Sequence, residues 1–402
     1  MRVAGAAGRG LIVPAHPKHG VASSAVIVGG GIGGLACAVA LRRAGLSVSI
    51  VEQAPAFEEV GAGLQLSPNA TRVLRDLGVL PTLEENAIAP EALEIRDGHS
   101  GRIIASCPYG PAAVRLGAPF LVAHRADLHR VLAEAARALD CTFEMGARLE
   151  GMEASDGVAV AVANRDGEAL PIQADILIGA DGVRSTVRAQ LGGSAAPVFA
   201  GRVAYRATIP AIAEGRPAVR LYLGPEAHLV TYPVRGGATV NIVAVVKADR
   251  PVTRWSEPGE ASAVHAAFAM WAEEVQALLA GAPEFRCWGL YDLDPLPRWG
   301  AGRATLLGDA AHAMLPFLAQ GAAQAIEDAA ALAAALAQGP SAEAALRAYE
   351  AARRPRTARI QREARTSGAI YHLSGPARLA RDAFIGLTGN RLLERYEWLY
   401  GG

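Results

Sequence analysis

The sequence lacks three features that would assign it to a common non-enzymatic class. It has only four cysteines, at Cys37, Cys107, Cys141 and Cys287. They form no C-x-x-C pair, which argues against a disulfide framework or a zinc site. No apolar run reaches about 18 residues, so no membrane span is expected. Lys plus Arg and Asp plus Glu both number 39, and this zero net charge argues against nucleic acid as a partner. We therefore expect a cytoplasmic protein with reduced thiols.

The 402 residues, 51% of them hydrophobic, are enough for two domains, which can be interleaved. Residues 1–24 carry basic side chains without an acidic one and have no continuous apolar segment. We interpret them as a flexible tail rather than a signal peptide.

The segment "SAVIVGGGIGGLACAVALRRAGLSVSIVEQ" at 24–53 predicts one βαβ unit. A buried strand at Ala25–Val28 precedes a helix from about Gly33 to Ala44, and a second strand ends at Glu52. Strand-like pieces broken by Gly and Pro fill 198–288, after which "ATLLGD" resumes the parallel-strand style and helices complete the chain. We predict an α/β fold: a Rossmann-type domain with an inserted antiparallel-sheet domain and C-terminal helices.

The first motif is Gly29-x-Gly31-x-x-Gly34, in which Gly33 also lies. The first glycine permits a tight turn, the second a close approach to a pyrophosphate, and the third close packing of helix on strand. Glu52, followed by Gln53, ends the second strand, where a carboxylate can accept hydrogen bonds from ribose hydroxyls. Together these residues predict a dinucleotide site.

A second motif, "LLGDAAHAMLPFLAQGAAQ" at 306–324, favours FAD as the dinucleotide. Gly308 permits close approach, and Asp309 at a strand end can bind ribityl hydroxyls. A helix that begins near Gly321 or Ala322 would direct its N–H groups at the ring system, where they stabilise negative charge on a reduced flavin. The alternative interpretation is a capped core helix.

The chain resembles the class A flavoprotein monooxygenases, the aromatic hydroxylases. The resemblance rests on the G-x-G-x-x-G…E pattern, on "GADGVRSTVR" at Gly179–Arg188 and on "GDAAH…P…QG" at Gly308–Gly321, in that order. It implies that Asp181 lies near the FAD pyrophosphate and that Arg125 contacts FAD. Since the chain has one G-x-G-x-x-G, the resemblance implies that NADH or NADPH binds transiently, without a Rossmann domain of its own.

The family chemistry follows by the same implication. NAD(P)H reduces FAD, O₂ adds to the reduced flavin, and the C4a-hydroperoxide transfers oxygen to an activated ring, such as that of a salicylate-like phenol. Activation of the ring needs a nearby base. His228 and Tyr232 resemble the His-x-x-x-Tyr pair of salicylate, 3-hydroxybenzoate and 6-hydroxynicotinate hydroxylases, and their spacing places them on one face of a strand. Arg206 could pair with a substrate carboxylate or with a structural partner.

The resemblance also places Pro316 and Phe317 at the reacting face of the flavin. Some 6-hydroxynicotinate hydroxylases have His at the positions of Phe317 and Gln65, and 3-hydroxybenzoate 6-hydroxylases have Gln at that of Pro316. This sequence departs from both, which favours salicylate-like substrates. Gln65 is retained as a candidate substrate contact.

The implied domains follow the motifs in chain order. The tail at 1–24 precedes a first FAD-binding part at 25–195, of which about 90–118 joins the substrate sheet. The substrate domain is expected at 196–291, the second FAD-binding part at 292–340 and C-terminal helices at 341–402.

Several alternatives stay open at this stage. The substrate could be a larger secondary metabolite or antibiotic, or the chain could be a flavin-binding redox sensor without turnover. We expect a monomer or a homodimer. His312 is expected to pack near the Gly-Asp turn. The final arginine series is expected to form a solvated helical face; its members are Arg353, Arg354, Arg356, Arg359, Arg362 and Arg365.

Overall fold

The computed structural model of the chain describes residues 21–57, 62–155, 157–193, 195–211, 216–252 and 257–401. Most of the predicted N-terminal tail, residues 1–20, therefore lies outside the described residues. Among the helices of these ranges, none has the length and apolar character that crossing a bilayer requires.

The strands within these ranges run in chain order as follows. They are β1 (Ser24–Val28), β2 (Ser47–Glu52), β3 (Gly63–Leu66), β4 (Ala92–Asp97), β5 (Ile103–Pro108), β6 (Leu121–His124), β7 (Thr142–Met145), β8 (Arg148–Ser155), β9 (Val158–Arg165), β10 (Glu168–Ala174), β11 (Ile176–Gly179), β12 (Val198–Pro210), β13 (Ala218–Leu223), β14 (Ala227–Val234), β15 (Thr239–Lys247), β16 (Glu257–Gly259), β17 (Phe285–Asp292) and β18 (Ala304–Leu306).

The α-helices of the same residues are α1 (Ile32–Arg43), α2 (Pro68–Asp76), α3 (Leu80–Glu84), α4 (Tyr109–Leu116), α5 (Arg125–Ala138), α6 (Thr186–Gln190), α7 (Ala261–Ala267), α8 (Glu273–Ala280), α9 (Asp309–His312), α10 (Gly321–Gln338), α11 (Ala342–Tyr371), α12 (Gly375–Thr388), α13 (Leu392–Arg395) and α14 (Glu397–Tyr400). A short 3₁₀ turn, Pro316–Leu318, joins α9 to α10.

The central sheet is parallel, as the buried apolar strands predict. Its order is β18-β11-β1-β2-β7, and β1 is buried at every residue because helices cover the sheet. Each of the two predicted ligand-binding motifs follows the carboxyl end of a strand in this sheet, β1 or β18. The parallel arrangement therefore brings two distant segments to one edge of the sheet.

The second large sheet has the order β16-β17-β12-β15-β14-β13-β4-β5. It is antiparallel except for the pairing of β13 with β4, which is parallel. The exception arises because the β4–β5 hairpin comes from far upstream and adds to the edge beside β13. The predicted α/β fold with an antiparallel-sheet insertion is confirmed with this one refinement, while the exact domain boundaries remain a prediction.

Two small antiparallel sheets complete the strand pairing. The first has the order β10-β9-β8, and the second consists of β3 and β6. In the second, Gln65 pairs with Val122, and the backbone N–H of Gly63 donates to Asn241 Oδ1 at 2.6 Å. Asn241 belongs to β15, so this bond attaches the small sheet to the large one.

The alanine-rich helix α10 packs on α1 at very short range. A Cβ added to Gly33 would lie 3.0 Å from the Cβ of Ala325. Small side chains allow this approach, since a larger residue at either position would overpack the contact. The close packing sets the two helix N-termini beside each other at the edge of the parallel sheet.

The predicted solvated arginine face of α11 is wrong at its first positions. Arg353 is 6% exposed, and its guanidinium bonds Asp328 at 2.7 Å, Glu327 at 2.5 Å and the side-chain oxygen of Gln324 at 2.7 Å. Arg356 is half-buried and also pairs with Glu327. These arginines point at α10 because α10 carries the buried acidic residues that match them.

The remaining arginines of the series divide between partial burial and exposure. Arg354 and Arg365 are half-buried, and Arg365 pairs with Asp292 and Asp294. Arg359 and Arg362 are exposed, so the predicted solvated face applies to these two positions.

Arg353→Met should destabilise the fold strongly. The change leaves Asp328 and Glu327 buried without their main cation, which costs about 3–5 kcal/mol in a broken buried pair. Urea unfolding followed by circular dichroism measures the loss. Arg362→Met, on the exposed part of the same helix, is the matched control and should stay within about 0.5 kcal/mol of wild type. Equal stability of both variants would contradict the structural role of the buried arginine.

Candidate active site

In the turn between β1 and α1, two positions accept only glycine because a side chain would collide with backbone atoms. A third glycine borders open space. Gly29 has φ +109°, and a Cβ there would lie 2.4 Å from the carbonyl oxygen of Ala180. A Cβ on Gly34 would lie 1.9 Å from the carbonyl oxygen of Gly29. Around Gly31, in contrast, no atom lies within 4 Å of the added Cβ. The turn therefore leaves an open approach to the backbone at Gly31.

The N-terminus of α1 faces this open space without a side-chain cap. Gly31 is the N-cap residue, and the first turn contains no acidic side chain. The first N–H groups of the helix thus stay available to an anion such as a pyrophosphate.

Glu52 is held at the end of β2 by backbone donors. Its Oε2 accepts the N–H of Gly30 at 2.7 Å, and its Oε1 accepts that of Ala54 at 2.8 Å. The carboxylate is therefore oriented beside the glycine turn, while Gln53 is exposed at the next position. A carboxylate has further lone pairs for a ribose hydroxyl.

Asp181 shapes the loop that packs on the glycine turn. Its carboxylate accepts the hydroxyl of Ser185 at 2.5 Å and the N–H groups of Thr186 at 2.7 Å and Val187 at 3.1 Å. It thereby caps α6. The backbone nitrogen of Asp181 lies 3.0 Å from the Cβ position of Gly29, so the two motifs are in direct contact.

Asp309 and the start of α10 meet at the same edge of the parallel sheet. The Oδ1 of Asp309 lies 3.9 Å from the Cβ position of Gly321, and Gly308, with φ +63°, precedes Asp309. The Asp309 side chain is accessible to solvent, but many protein atoms surround its carboxylate and partly desolvate it. This combination describes a carboxylate in a deep, open cleft. Desolvation by these surrounding atoms raises the pKa of the Asp309 carboxyl, whereas His312 and Arg125 lower it.

The N-terminus of α10 has the second uncapped set of N–H groups. Gln320 is the N-cap residue but forms no side-chain capping bond, and no acidic residue follows in the first turn. Gly321 and Ala322 are half-buried there. Ala319, just before, has φ +53°, a strained conformation for a residue with a Cβ. The helix end thus presents positive potential to a ligand.

Arg125 lies at the first position of α5, between the two halves of the site. It is half-buried, and its backbone N–H donates to Ala62 O at 3.0 Å. Burial and repulsion by Arg206 lower the pKa of Arg125, whereas Asp309 raises it. Two enclosed guanidinium groups therefore lie near each other with one carboxylate close by, an arrangement that an anionic ligand would stabilise.

His228 and Tyr232 lie on β14 and are both 3% exposed. Tyr232 contacts the Cβ position of Gly63 at 2.5 Å, and burial raises its pKa. The ring centroid of His228 is 5.4 Å from that of Phe317. Burial lowers the pKa of His228, and neighbouring His372 lowers it further. Both groups are therefore neutral near pH 7.

Arg206, on β12, is an enclosed cation with unused hydrogen-bonding capacity. No carboxylate of the described residues forms a salt bridge with it, and its buried Nε has no hydrogen-bond partner there. Its guanidinium lies 5.4 Å from the centroid of the Trp288 ring. Burial lowers its pKa, and Tyr232 opposes that shift.

A cleft with about 330 Å³ of space, part of it open to solvent, lies beside the 3₁₀ turn Pro316–Leu318. Its lining includes Gln65, Tyr109, Leu318, Gln320 and Tyr400. Tyr109 belongs to the same apolar cluster as Tyr232. The 3₁₀ turn that contributes Leu318 also holds Pro316, which is half-buried, and Phe317, which is buried.

Sequence reasoning missed the polar network beneath the cleft and one histidine. The network runs from Ser67 and Asn69 through Gln320 and Gln324 to Glu327. The sequence did contain a sign of this network, because polar residues interrupt the alanine-rich stretch that forms α10. His372 bonds His228 at 2.9 Å and had no comparable signal. His312, expected near the Gly-Asp turn, bonds Asp328 at 2.6 Å.

These features fit an FAD molecule. Two uncapped helix ends, an open backbone at Gly31 and a carboxylate in an open cleft match a pyrophosphate, a flavin ring and a ribityl chain. The residues that would hold it are the glycines at 29, 31, 33 and 34, Glu52, Gln53, Arg125, Asp181, Gly308, Asp309, Gly321 and Ala322. When bound, FAD supplies redox and oxygen-transfer chemistry.

Comparison with known proteins agrees with this fit. Residues 22–364 match the family model described as FAD binding domain. A 3-amino-4-hydroxybenzoate 2-monooxygenase of Streptomyces platensis is 38% identical over 93% of this chain and 95% of its own length. A 3-hydroxybenzoate 6-hydroxylase of Polaromonas naphthalenivorans is 37% identical over 94% of this chain and 95% of its own length.

Among solved structures, HpxO of Klebsiella pneumoniae, complexed with FAD and uric acid, superposes with a TM-score of 0.83. It is 28% identical, and the superposition covers 92% of this chain and 95% of that chain.

A pair of glycine substitutions separates cofactor binding from folding. Gly31→Ala, at a residue with φ −74°, should fold normally yet bind FAD at least about tenfold more weakly, because its methyl group enters the open space. Gly34→Ala should lower stability by about 1–3 kcal/mol because its methyl group meets backbone. FAD content is measured by absorbance and apoprotein stability by thermal melting. Full FAD content in Gly31→Ala would contradict the assigned approach.

Proposed function

The chain belongs to the FAD binding domain family and is an FAD- and NAD(P)H-dependent aromatic monooxygenase, and from that premise we propose that it hydroxylates a small phenolic carboxylic acid. The observation that carries this substrate class is Arg206, an enclosed guanidinium without a carboxylate partner among the described residues, close to Tyr232 and Arg125. A substrate carboxylate would supply the missing partner, since Arg binds carboxylates through paired hydrogen bonds.

On the cofactor side, we propose the roles that the sequence suggested. The glycine turn and the α1 N-terminus bind the pyrophosphate, with Asp181 shaping the adjoining loop. Glu52 binds the ribose and Asp309 the ribityl chain. The N-terminus of α10 would direct its N–H groups at the ring system, where oriented donors in an enclosed site stabilise negative charge. The geometry of each group supports its role.

On the substrate side, we propose that His228 accepts the phenol proton. Its lowered pKa keeps the imidazole neutral and therefore able to act as a base near pH 7. The raised pKa of Tyr232 keeps its hydroxyl protonated, so Tyr232 can donate a hydrogen bond to the developing phenolate. Pro316, Phe317 and Gln65 would limit the space around the ring and exclude water.

The relatives narrow the substrate further. Those reported above are named for 3-amino-4-hydroxybenzoate and 3-hydroxybenzoate, each of which combines a ring hydroxyl with a carboxylate. We propose a substrate with the same two groups, and the salicylate-like acid expected from Pro316 belongs to this class. The ring hydroxyl would face His228, and the carboxylate would face Arg206.

We also propose a cytoplasmic enzyme that acts as a monomer or a homodimer. The free thiols of Cys37, Cys107, Cys141 and Cys287 support a reducing compartment. Light scattering on the purified protein measures the oligomeric state.

The reaction is tested by NADH and NADPH oxidation with a panel of phenolic acids. The panel contains 3-hydroxybenzoate, 3-amino-4-hydroxybenzoate, salicylate and 6-hydroxynicotinate, with benzoate as the control that lacks a ring hydroxyl. We expect stimulated oxidation and a product one oxygen heavier, or one oxygen heavier and one CO₂ lighter, by mass spectrometry. Oxidation without product would indicate a larger substrate. No response to any member would contradict the proposed class and favour a redox sensor.

Arg206→Met tests the carboxylate contact. It should raise the KM for the best acid by about 10- to 100-fold, the value of a hydrogen bond to a charged group. The KM for the corresponding carboxamide, which carries no charge, should change little. Arg206→Lys retains the charge without the paired donors and should be intermediate. An equal loss for acid and amide would show that Arg206 supports the fold rather than the carboxylate.

A further inference from the structure

Two histidines form a directed pair beside the substrate strand. The Nδ1 of His228 lies 2.9 Å from the Nε2 of His372, and the ring centroids are 5.0 Å apart. The Nδ1 of His372 lies 2.6 Å from the carbonyl oxygen of Gly368. The three groups thus form one continuous chain of hydrogen bonds.

The carbonyl at the end of this chain determines the direction of every bond in it. A carbonyl oxygen only accepts, so the Nδ1 of His372 must carry a proton. In a neutral His372, the Nε2 then has a lone pair and accepts from the Nδ1–H of His228. His228 is left with an unprotonated Nε2. Within the described residues this nitrogen has no hydrogen-bond partner, so its lone pair is available to a ligand.

The fold brings His372 to this position through the end of α11. His372 is the C-cap residue of that helix. A Cβ on Gly368 would lie 2.4 Å from the ring of Phe317, so the absence of a side chain there lets α11 approach the 3₁₀ turn. The Tyr371 hydroxyl donates to Phe317 O at 2.9 Å and fixes the contact. His372 therefore reaches His228 across the active-site turn.

The surroundings of His372 suit a group that holds a proton briefly. The C-terminal end of a long helix attracts positive charge, and His372 already bonds one of its carbonyls. Burial first, and then Arg202, lower the pKa of His372 to about 4, while Glu226 acts in the opposite direction. Arg381 of α12 also disfavours the charged form. Both rings thus rest neutral, and a proton taken up here is released readily.

We infer that His372 is a positioning residue for the hydroxylation: it keeps His228 in the Nδ1–H tautomer and receives the proton that His228 passes on when a phenol binds. The inference rests on the proposed function, in which His228 is the base. It extends that function to a residue outside the three sequence motifs.

The proton balance is simple. The phenol O–H proton moves to the Nε2 of His228, which leaves a phenolate. The Nδ1 proton of His228 moves to the Nε2 of His372. One phenolate and one imidazolium result, with the positive charge displaced from His228 to His372 at the half-buried helix end. No oxidant or reductant takes part in this step.

The tautomer is measured without turnover. In the oxidised, FAD-loaded enzyme labelled with ¹⁵N-histidine, long-range ¹H–¹⁵N spectra report which nitrogen of each ring is protonated. The His228 signals are identified by their loss in His228→Gln. We expect Nδ1–H in the wild type and a shift towards Nε2–H in His372→Ala. A wild-type His228 protonated on Nε2 would overturn the inference, whatever substrate the enzyme uses.

Kinetics of the same variants supply the second measurement. His372→Ala should retain FAD but lower kcat by about 100-fold at a pH below the phenol's own pKa, as expected when a general base is misdirected. The deficit should shrink as the pH rises and the phenol ionises unaided. The other groups that face the histidine pair keep their side chains in both enzymes of this comparison. They are Arg202, Glu226, Arg381 and Tyr371. A deficit that does not change with pH would indicate a merely structural role.

Two further variants complete the design. His372→Gln carries an amide oxygen that can accept from His228 but cannot take up its proton, so it should restore the Nδ1–H tautomer of His228 and only part of the lost rate. His265→Gln, at an exposed position on α7, is the control for loss of a histidine and should match the wild type. An unchanged kcat in His372→Ala with normal FAD content would overturn the inference. Failure of every phenol in the panel would instead overturn the proposed function, because the tautomer measurement needs no substrate.

Discussion

The carboxylate of Asp328 joins the parts of the molecule on which the active site depends. It accepts the backbone N–H of Gly308 at 3.0 Å, bonds His312 at 2.6 Å and pairs with Arg353 at 2.7 Å. Burial alone would raise its pKa, but His312 and Arg353 hold the pKa at about 2. The carboxylate thus stays charged in the core, and one side chain connects the Gly-Asp turn, α9, α10 and α11.

This buried network explains how uncapped helix ends can be maintained in an open cleft. The side chain of Gln320, just before α10, donates to Ser67 at 2.8 Å and accepts from Asn69 at 3.1 Å instead of capping its own helix. The helix is therefore positioned by tertiary bonds further along, and its first N–H groups stay free for a ligand. Buried polar networks are costly when one member is missing, which ties the geometry of the cleft to the integrity of the whole network.

The site itself brings charges of like sign close together. Arg125 and Arg206 repel each other, and Asp309 has a raised pKa in its open cleft. The Arg206 guanidinium, which has no carboxylate partner among the described residues, weakens the unliganded fold, because an enclosed charge without a full partner is unfavourable. The bound cofactor and an anionic substrate would remove the penalty. Binding energy and fold stability are therefore linked, as expected where a site is preorganised for charged ligands.

Local sequence was enough for the elements and the cofactor motifs. The strands at 24–28 and 47–52, the glycine turn and the start of α10 follow from short-range patterns, since apolar runs and glycine conformations act over a few residues. The parallel β13–β4 pair, the burial of Arg353 and the contact of His372 with His228 did not follow. Each depends on segments at least 25 positions apart, and no local pattern encodes which distant side chain will meet another. The residue types thus defined the dinucleotide chemistry, whereas only the packing of α10, α11 and the large sheet decided which charges are paired and which histidine faces the base.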